Sequence, residues 1–239
     1  MTLKSIPVRS VSTLECGNCG AGAPVDEHFC RQCSRILALG RHGDYFTFFG
    51  LPRLLAIDPR DLERRFRQLS RQFHPDFFHN ATSSERLASL ERSSYLNDAY
   101  RVLRSLPARV EYLLSLEGLP PMHTITPGSM QVPASLLEEV FALNEELDEI
   151  REMRTSGADG AAVEARLAAA RTPIERKRER HELRLEELVA QWDALDAGTT
   201  PDARRATLNA LREQMLERNY ITNLISTIEQ QRQQGEARG

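Results

Sequence analysis

Two groups of residues in this chain carry chemistry by their types and spacing. The first is a pair of CxxC motifs, Cys16-Gly17-Asn18-Cys19 and Cys30-Arg31-Gln32-Cys33, ten residues apart, which together use all four cysteines of the chain. Each motif lets two thiolates grip one ion from a tight turn, and four sulfurs complete the tetrahedral shell that a structural zinc prefers. Cys16, Cys19, Cys30 and Cys33 are therefore expected to bind one Zn2+. A closed four-thiolate site has no open position for catalysis, so the ion would serve to fold a segment too short to build its own core. Gly17 and Gly20 are expected to relax the backbone where amides approach sulfur, and the nearby His28 is expected at the surface.

The second group is His74-Pro75-Asp76 and the residues leading into it. Proline lacks an amide hydrogen and disfavours helix in the residue before it, so a helix entering this tripeptide should stop there. An imidazole and a carboxylate are then displayed on a loop. The tripeptide on its own is equally compatible with a helix-terminating turn. No nucleophile or second carboxylate is set beside it, so a catalytic reading fails. Arg60, Arg64, Arg67 and Arg71 recur at helical spacing just upstream, with Asp61 and Glu63 toward the flanks. A row of guanidinium forks is either a solvated face or a surface that suits an acidic protein partner.

The elements that must position these residues are helices. Asp58-Pro59 is a helix start, with a capping carboxylate followed by proline at the first position. Leu62, Phe66, Leu69 and Phe73 then form an apolar stripe nearly opposite the arginines. Helix resumes near Ser84-Glu85, where Leu96, Ala99, Tyr100 and Leu103 can pack back on the first helix. A further helix begins near Pro107 and carries Val110, Leu113 and Leu114. Two antiparallel helices with the tripeptide in their connecting loop resemble a J-domain. The fold expected is all-α, a J-domain hairpin plus a C-terminal three-helix bundle, preceded by the small metal module. The divisions expected are 1–15 flexible tail, 16–40 metal module, 41–118 J-domain, 119–133 proline-rich linker, 134–234 bundle and 235–239 tail. No strand-like alternation and no internal repeat stand out.

In the C-terminal region Ser135 is expected to cap a helix whose seam is Leu136, Val140, Leu143, Leu147 and Ile150. Leu137 and Phe141 lie about 100° and 140° round from the start of that seam, among Glu138, Asn144, Glu145 and Asp148. Two apolar residues one turn apart and ringed by acids form a docking patch for a partner, unless another helix of the bundle covers them. Tyr220 on the last helix is expected to join that patch. Thr172-Pro173-Ile174-Glu175 reads either as a new capping box or as a kink in one long helix. The run from Arg176 to Arg180 reads as a solvated face.

Composition limits the function classes. The 239 residues are 41% hydrophobic and 27% charged, with a net charge of -3, which fits a folded helical protein. That balance, and the lack of a basic surface bearing aromatic residues, argue against a zinc-ribbon nucleic-acid binder. No apolar run approaches the roughly 18 residues of a membrane span. The first fifteen residues lack the apolar stretch of a secretory signal, so the protein is expected to be intracellular. Cytoplasm is expected ahead of the mitochondrial matrix because the tail before Cys16 is short.

The chain resembles the HscB-type J-domain co-chaperones of iron–sulfur cluster assembly. The landmarks are the segment from Asp44 to Leu51, His74 to Phe78, Leu96 to Leu103, Glu111 to Gly118, and Asn144 to Ile150, and the four-cysteine module is similar to that of the longer, eukaryotic-type members. The resemblance implies a J-domain that recruits an HscA/DnaK-class chaperone and promotes its ATP hydrolysis through His74, Pro75, Asp76 and Arg60, Arg64, Arg67 and Arg71. It implies C-terminal helices that hold an IscU-like cluster scaffold, with Leu137, Phe141, Glu145, Glu149 and Tyr220 as the contact residues. The chain would then be no enzyme and bind no ATP, and it would activate a partner ATPase. A general J-domain co-chaperone for unfolded clients is the alternative. Phe77 departs from the wider J-domain pattern, which often has lysine there, so basic recognition would rest more heavily on the arginine row.

Overall fold

A computed structural model of the chain describes residues 13–24, 26–39, 43–119, 136–196 and 198–236. The amino-terminal residues 1–12, the hinge at 40–42, the linker from 120 to 133, the proposed cap Ser135 and the last three residues lie outside them. The chain divides into two compact units, Met1–Arg109 and Val110–Gly239.

In the first unit, strands β1 (Thr13–Glu15) and β2 (Gly22–Pro24) pair antiparallel. This small ribbon, which the sequence pattern did not reveal, exists because the first CxxC turn folds the chain back on itself. Helices α1 (Tyr45–Phe48), α2 (Pro59–Phe73) and α3 (Ser83–Leu103) follow, with α4 (Leu106–Leu116) beginning at the end of the unit. Asp58 caps α2 by accepting from the Arg60 amide, and proline follows it as expected. Helix α3 starts with a reciprocal capping box between Thr82 and Glu85. Leu62, Leu69 and Phe73 are buried with Leu96, Ala99 and Leu103. Phe66 stacks on Tyr100 with ring centroids 4.2 Å apart. The stripes read from the sequence thus become the seam of a helical hairpin. Buried Arg109 donates to the carbonyls of Leu103 and Leu55, satisfying the C-terminal end of α3.

In the second unit α5 (Leu137–Thr155), α6 (Gly160–Asp193) and α7 (Pro201–Glu236) form a three-helix bundle. Its core gathers Leu136, Leu143, Leu147, Ile150, Val163, Leu167, Ile174, Ile221 and Ile228, with Val140 and Tyr220 packed against it. Short connections make neighbouring helices antiparallel. Helix α6 runs unbroken through Pro173, which resolves the capping-box alternative in favour of one long helix. Thr172 donates its hydroxyl to the Ala168 carbonyl instead of capping a new start. Lys177, expected on a solvated face, lies 3.7 Å from Glu139 of α5 and 3.5 Å from Glu217 of α7. Among the described residues no helix is long and apolar enough to cross a membrane.

Candidate functional site

Helix α2 ends at Phe73, and Pro75–Phe78 forms a single 3-10 turn. Pro75 fixes this turn, and His74 caps it: Nδ1 accepts from the Asp76 amide at 3.3 Å and lies 3.5 Å from the Asp76 carboxylate. The helix-terminating turn weighed from the sequence is therefore present. It leaves the functional groups free to meet a partner, because the side chains of His74 and Asp76 are 52% and 86% exposed. Phe77 is also exposed and meets the His74 ring edge-on at 6.2 Å. The turn is tied down from behind. Ser89 and Ser93, one turn apart on α3, both donate to the Phe73 carbonyl, at 2.7 and 3.0 Å. Arg86 donates to the Ala81 carbonyl at 2.7 Å on the far side of the loop.

Arg60, Arg64, Arg67 and Arg71 are all exposed on α2 and line one shallow trough with Glu63 and Gln68. The flanking acids are closer than the spacing suggested. Asp61 pairs with Arg64, and Glu63 pairs with Arg67. Such exposed pairs are worth roughly 0.3–0.5 kcal/mol, so a partner's carboxylates can displace them. The row is a cationic surface four residues long that leads directly to the His74 turn.

The four cysteines converge. Sγ–Sγ separations are 3.6 Å for Cys16 and Cys33 and 3.7 Å for Cys19 and Cys30, and all four sulfurs lie within 4.8 Å of one another. A tetrahedral ion with metal–sulfur bonds of about 2.3 Å requires edges of about 3.8 Å, so the residues present fit one. The two motifs are near copies. Cys16 donates its amide to the Ala21 carbonyl and accepts from the Gly20 amide; Cys30 donates to the Arg35 carbonyl and accepts from the Ser34 amide. The residue after each motif takes positive φ, +71° at Gly20 and +59° at Ser34. Gly20 has the conformational role expected, and its counterpart is a serine. The Arg35 amide, and then the Asn18 side chain, draw the Cys33 thiol down to about 6.

His28, expected at the surface, is half-buried. Burial, and then the Arg92 charge, lower its pKa to about 4, so its ring is neutral at pH 7. Its Nδ1 accepts from Arg92 at 2.8 Å, which leaves Nε2–H to donate to the Phe48 carbonyl at 3.1 Å. Arg92 is fully buried on α3 and donates also to the Leu37 carbonyl at 2.8 Å and the Ala38 carbonyl at 3.0 Å. Neither residue stood out in the sequence as a joint between module and hairpin. An arginine on the apolar face of a helix was the only available signal.

On α5, Leu137 and Phe141 are 41% and 65% exposed, so no other helix of the bundle covers them. Glu145 is exposed one turn further along the same face. Glu149 instead pairs with Arg166 of α6, and Tyr220 packs half-buried against the bundle core. Leu137, Phe141, Glu145 and Glu149 follow at one-turn spacing along one exposed face of α5, Glu149 staying 56% exposed despite its ion pair, while Tyr220 is half-buried.

No family model matches the chain. Among solved structures it is similar to the human co-chaperone protein HscB, with TM-score 0.63 and 24% identity, over 91% of this chain and 98% of that one. It is also similar to the chaperone HscB from Vibrio cholerae, with TM-score 0.59 and 28% identity, over 80% of this chain and 99% of that one. The fold is that of the HscB co-chaperones, carried here with a four-cysteine metal-binding group at its amino-terminal side.

Proposed function

We propose that this chain is a J-domain co-chaperone of iron–sulfur cluster assembly that stimulates the ATPase of an HscA/DnaK-class chaperone and delivers an IscU-like scaffold to it. The observation that carries the reading is the His74-Pro75-Asp76 turn, exposed at its functional atoms and held from behind by two serines on α3. Such a turn presents a hydrogen-bonding imidazole and a carboxylate in one fixed geometry, so little ordering entropy is lost on docking. The arginine row supplies the electrostatic approach to an acidic chaperone surface. Hydrolysis takes place on the chaperone. This chain's residues bind and orient, and none of them transfers a proton or phosphoryl group.

Leu137, Phe141, Glu145, Glu149 and Tyr220 form the scaffold contact proposed for the second unit, with Glu149 also pairing with Arg166 and Tyr220 half-buried against the core. A patch of two apolar side chains beside a carboxylate suits a specific site on a folded partner better than an extended unfolded client. The four cysteines hold one structural zinc, which supplies tetrahedral cross-linking of the module. Free thiols serving as ligands fit a reducing compartment, cytoplasm or mitochondrial matrix.

The test is single-turnover ATP hydrolysis by a purified HscA/DnaK-class chaperone, with this protein, with scaffold, and with both. The reading predicts acceleration by this protein and a larger acceleration with both. Hydrolysis unchanged by either combination would overturn it.

A further inference from the structure

The metal module and the His74 turn are joined through named contacts, and the joint lies directly behind the turn. The second cysteine motif shapes a hairpin over residues 28–37, closed by the Phe29–Ile36 bridge and by the Leu37 amide donating to the His28 carbonyl at 3.0 Å. One side of this hairpin supplies the acceptors of Arg92: His28 Nδ1 and the carbonyls of Glu27, Leu37 and Ala38. The other side extends Arg35, whose Nη1 reaches both Glu85 oxygens at 2.8 and 3.0 Å. Glu85 is also the carboxylate of the α3 capping box, with the Thr82 amide donating to it at 3.1 Å. Phe73, the residue before His74, has no exposed surface. Its ring is walled by His28 at 4.9 Å, Phe29 at 6.1 Å and the Arg92 guanidinium at 5.7 Å.

Both ends of the loop from His74 to Thr82 therefore rest on the module. At one end Phe73 is packed against His28 and Phe29; at the other the α3 cap is shared with Arg35. We propose that the four-cysteine module forms the rear wall of the J-domain, and that Arg92 and the Arg35–Glu85 pair are positioning residues that fix the His74-Pro75-Asp76 turn through it. The role of the turn in chaperone stimulation rests on the function proposed above; the positioning itself does not. Metal binding then does more than fold the module, because the hairpin it shapes holds the acceptors of a buried guanidinium and the partner of a helix cap.

Arg35 is the residue to change, since its side chain is half exposed while Glu85 is nearly covered, and the Arg92 core contacts remain. The full zinc-loaded chain is compared as wild type, Arg35→Gln and Arg35→Lys, by amide hydrogen exchange, zinc content and single-turnover ATPase titration. Arg35→Gln is expected to retain zinc and raise exchange from Asp76 to Glu85 about fivefold, the scale of a lost charge-assisted pair in a local opening equilibrium. The concentration of co-chaperone needed for half-maximal stimulation should rise while the maximal rate is kept, and Arg35→Lys should recover most of both effects. Chelating the zinc from wild type should raise exchange over the same segment further. Unchanged exchange at residues 76–85 in Arg35→Gln, or an increase spread evenly over the whole first unit, would overturn the positioning role. If wild type accelerates no chaperone, the functional reading fails, and the exchange data still decide the positioning.

Discussion

Ser34 shows how a single position can carry a cost that its surroundings impose. The second cysteine motif repeats the hydrogen bonds of the first, yet a serine occupies the left-handed position that Gly20 fills in the first. An L-residue there costs about 1–2 kcal/mol, part of which glycine would give back as greater freedom in the unfolded chain. Ser34→Gly should stabilise the first unit by about 0.5–1 kcal/mol in denaturant unfolding, and destabilisation would show that the serine side chain has a role of its own. Leu137 and Phe141 show the opposite balance: exposed apolar groups that contribute little to their own fold. Leu137→Ala with Phe141→Ala should weaken scaffold binding by about 2–4 kcal/mol in calorimetry. Melting should change by no more than about 0.5 kcal/mol. Unchanged affinity would remove these two residues from the contact.

At the scale of elements, much of the architecture was legible because it rests on local rules. Asp58-Pro59 and the proline after His74 bound α2 at both ends, and period-3.6 stripes predicted the hairpin and the α5 seam. Less legible were features that depend on distant partners. The serines that hold the Phe73 carbonyl look like ordinary polar residues in sequence, and Lys177 looks solvated until α5 and α7 bring Glu139 and Glu217 beside it. The three-residue strands were invisible because the cysteine turn, and not alternation of side chains, creates them. Pro173 was ambiguous because the local rule against interior proline can be outweighed by packing on both sides of it. Val163, Leu167 and Ile174 are buried along one continuous face, so α6 stays unbroken. The missing hydrogen bond to the Ala169 carbonyl remains as a cost. Pro173→Ala should therefore raise the stability of the second unit by about 1–3 kcal/mol, read as a higher melting temperature. A lower one would mean that proline rigidity is worth more to α6 than the bond it forfeits.

For the whole molecule, each of the two units carries exposed features of its own. The first holds a proline-fixed turn, a cationic approach and a metal module packed behind them; the second holds a bundle that leaves Leu137 and Phe141 uncovered. Under the function proposed above, a protein built this way would link two binding events. Changes at the turn should therefore leave scaffold binding intact, and changes at the α5 patch should leave basal chaperone stimulation intact. The central claim is that the exposed His74 imidazole triggers the partner ATPase. The direct measurement is single-turnover ATP hydrolysis by the chaperone, titrated with wild type and with His74→Gln, circular dichroism and scaffold affinity being checked on both. The account predicts that His74→Gln folds and binds scaffold as wild type does but leaves hydrolysis at the chaperone's basal rate. Stimulation by His74→Gln equal to that of wild type would contradict it.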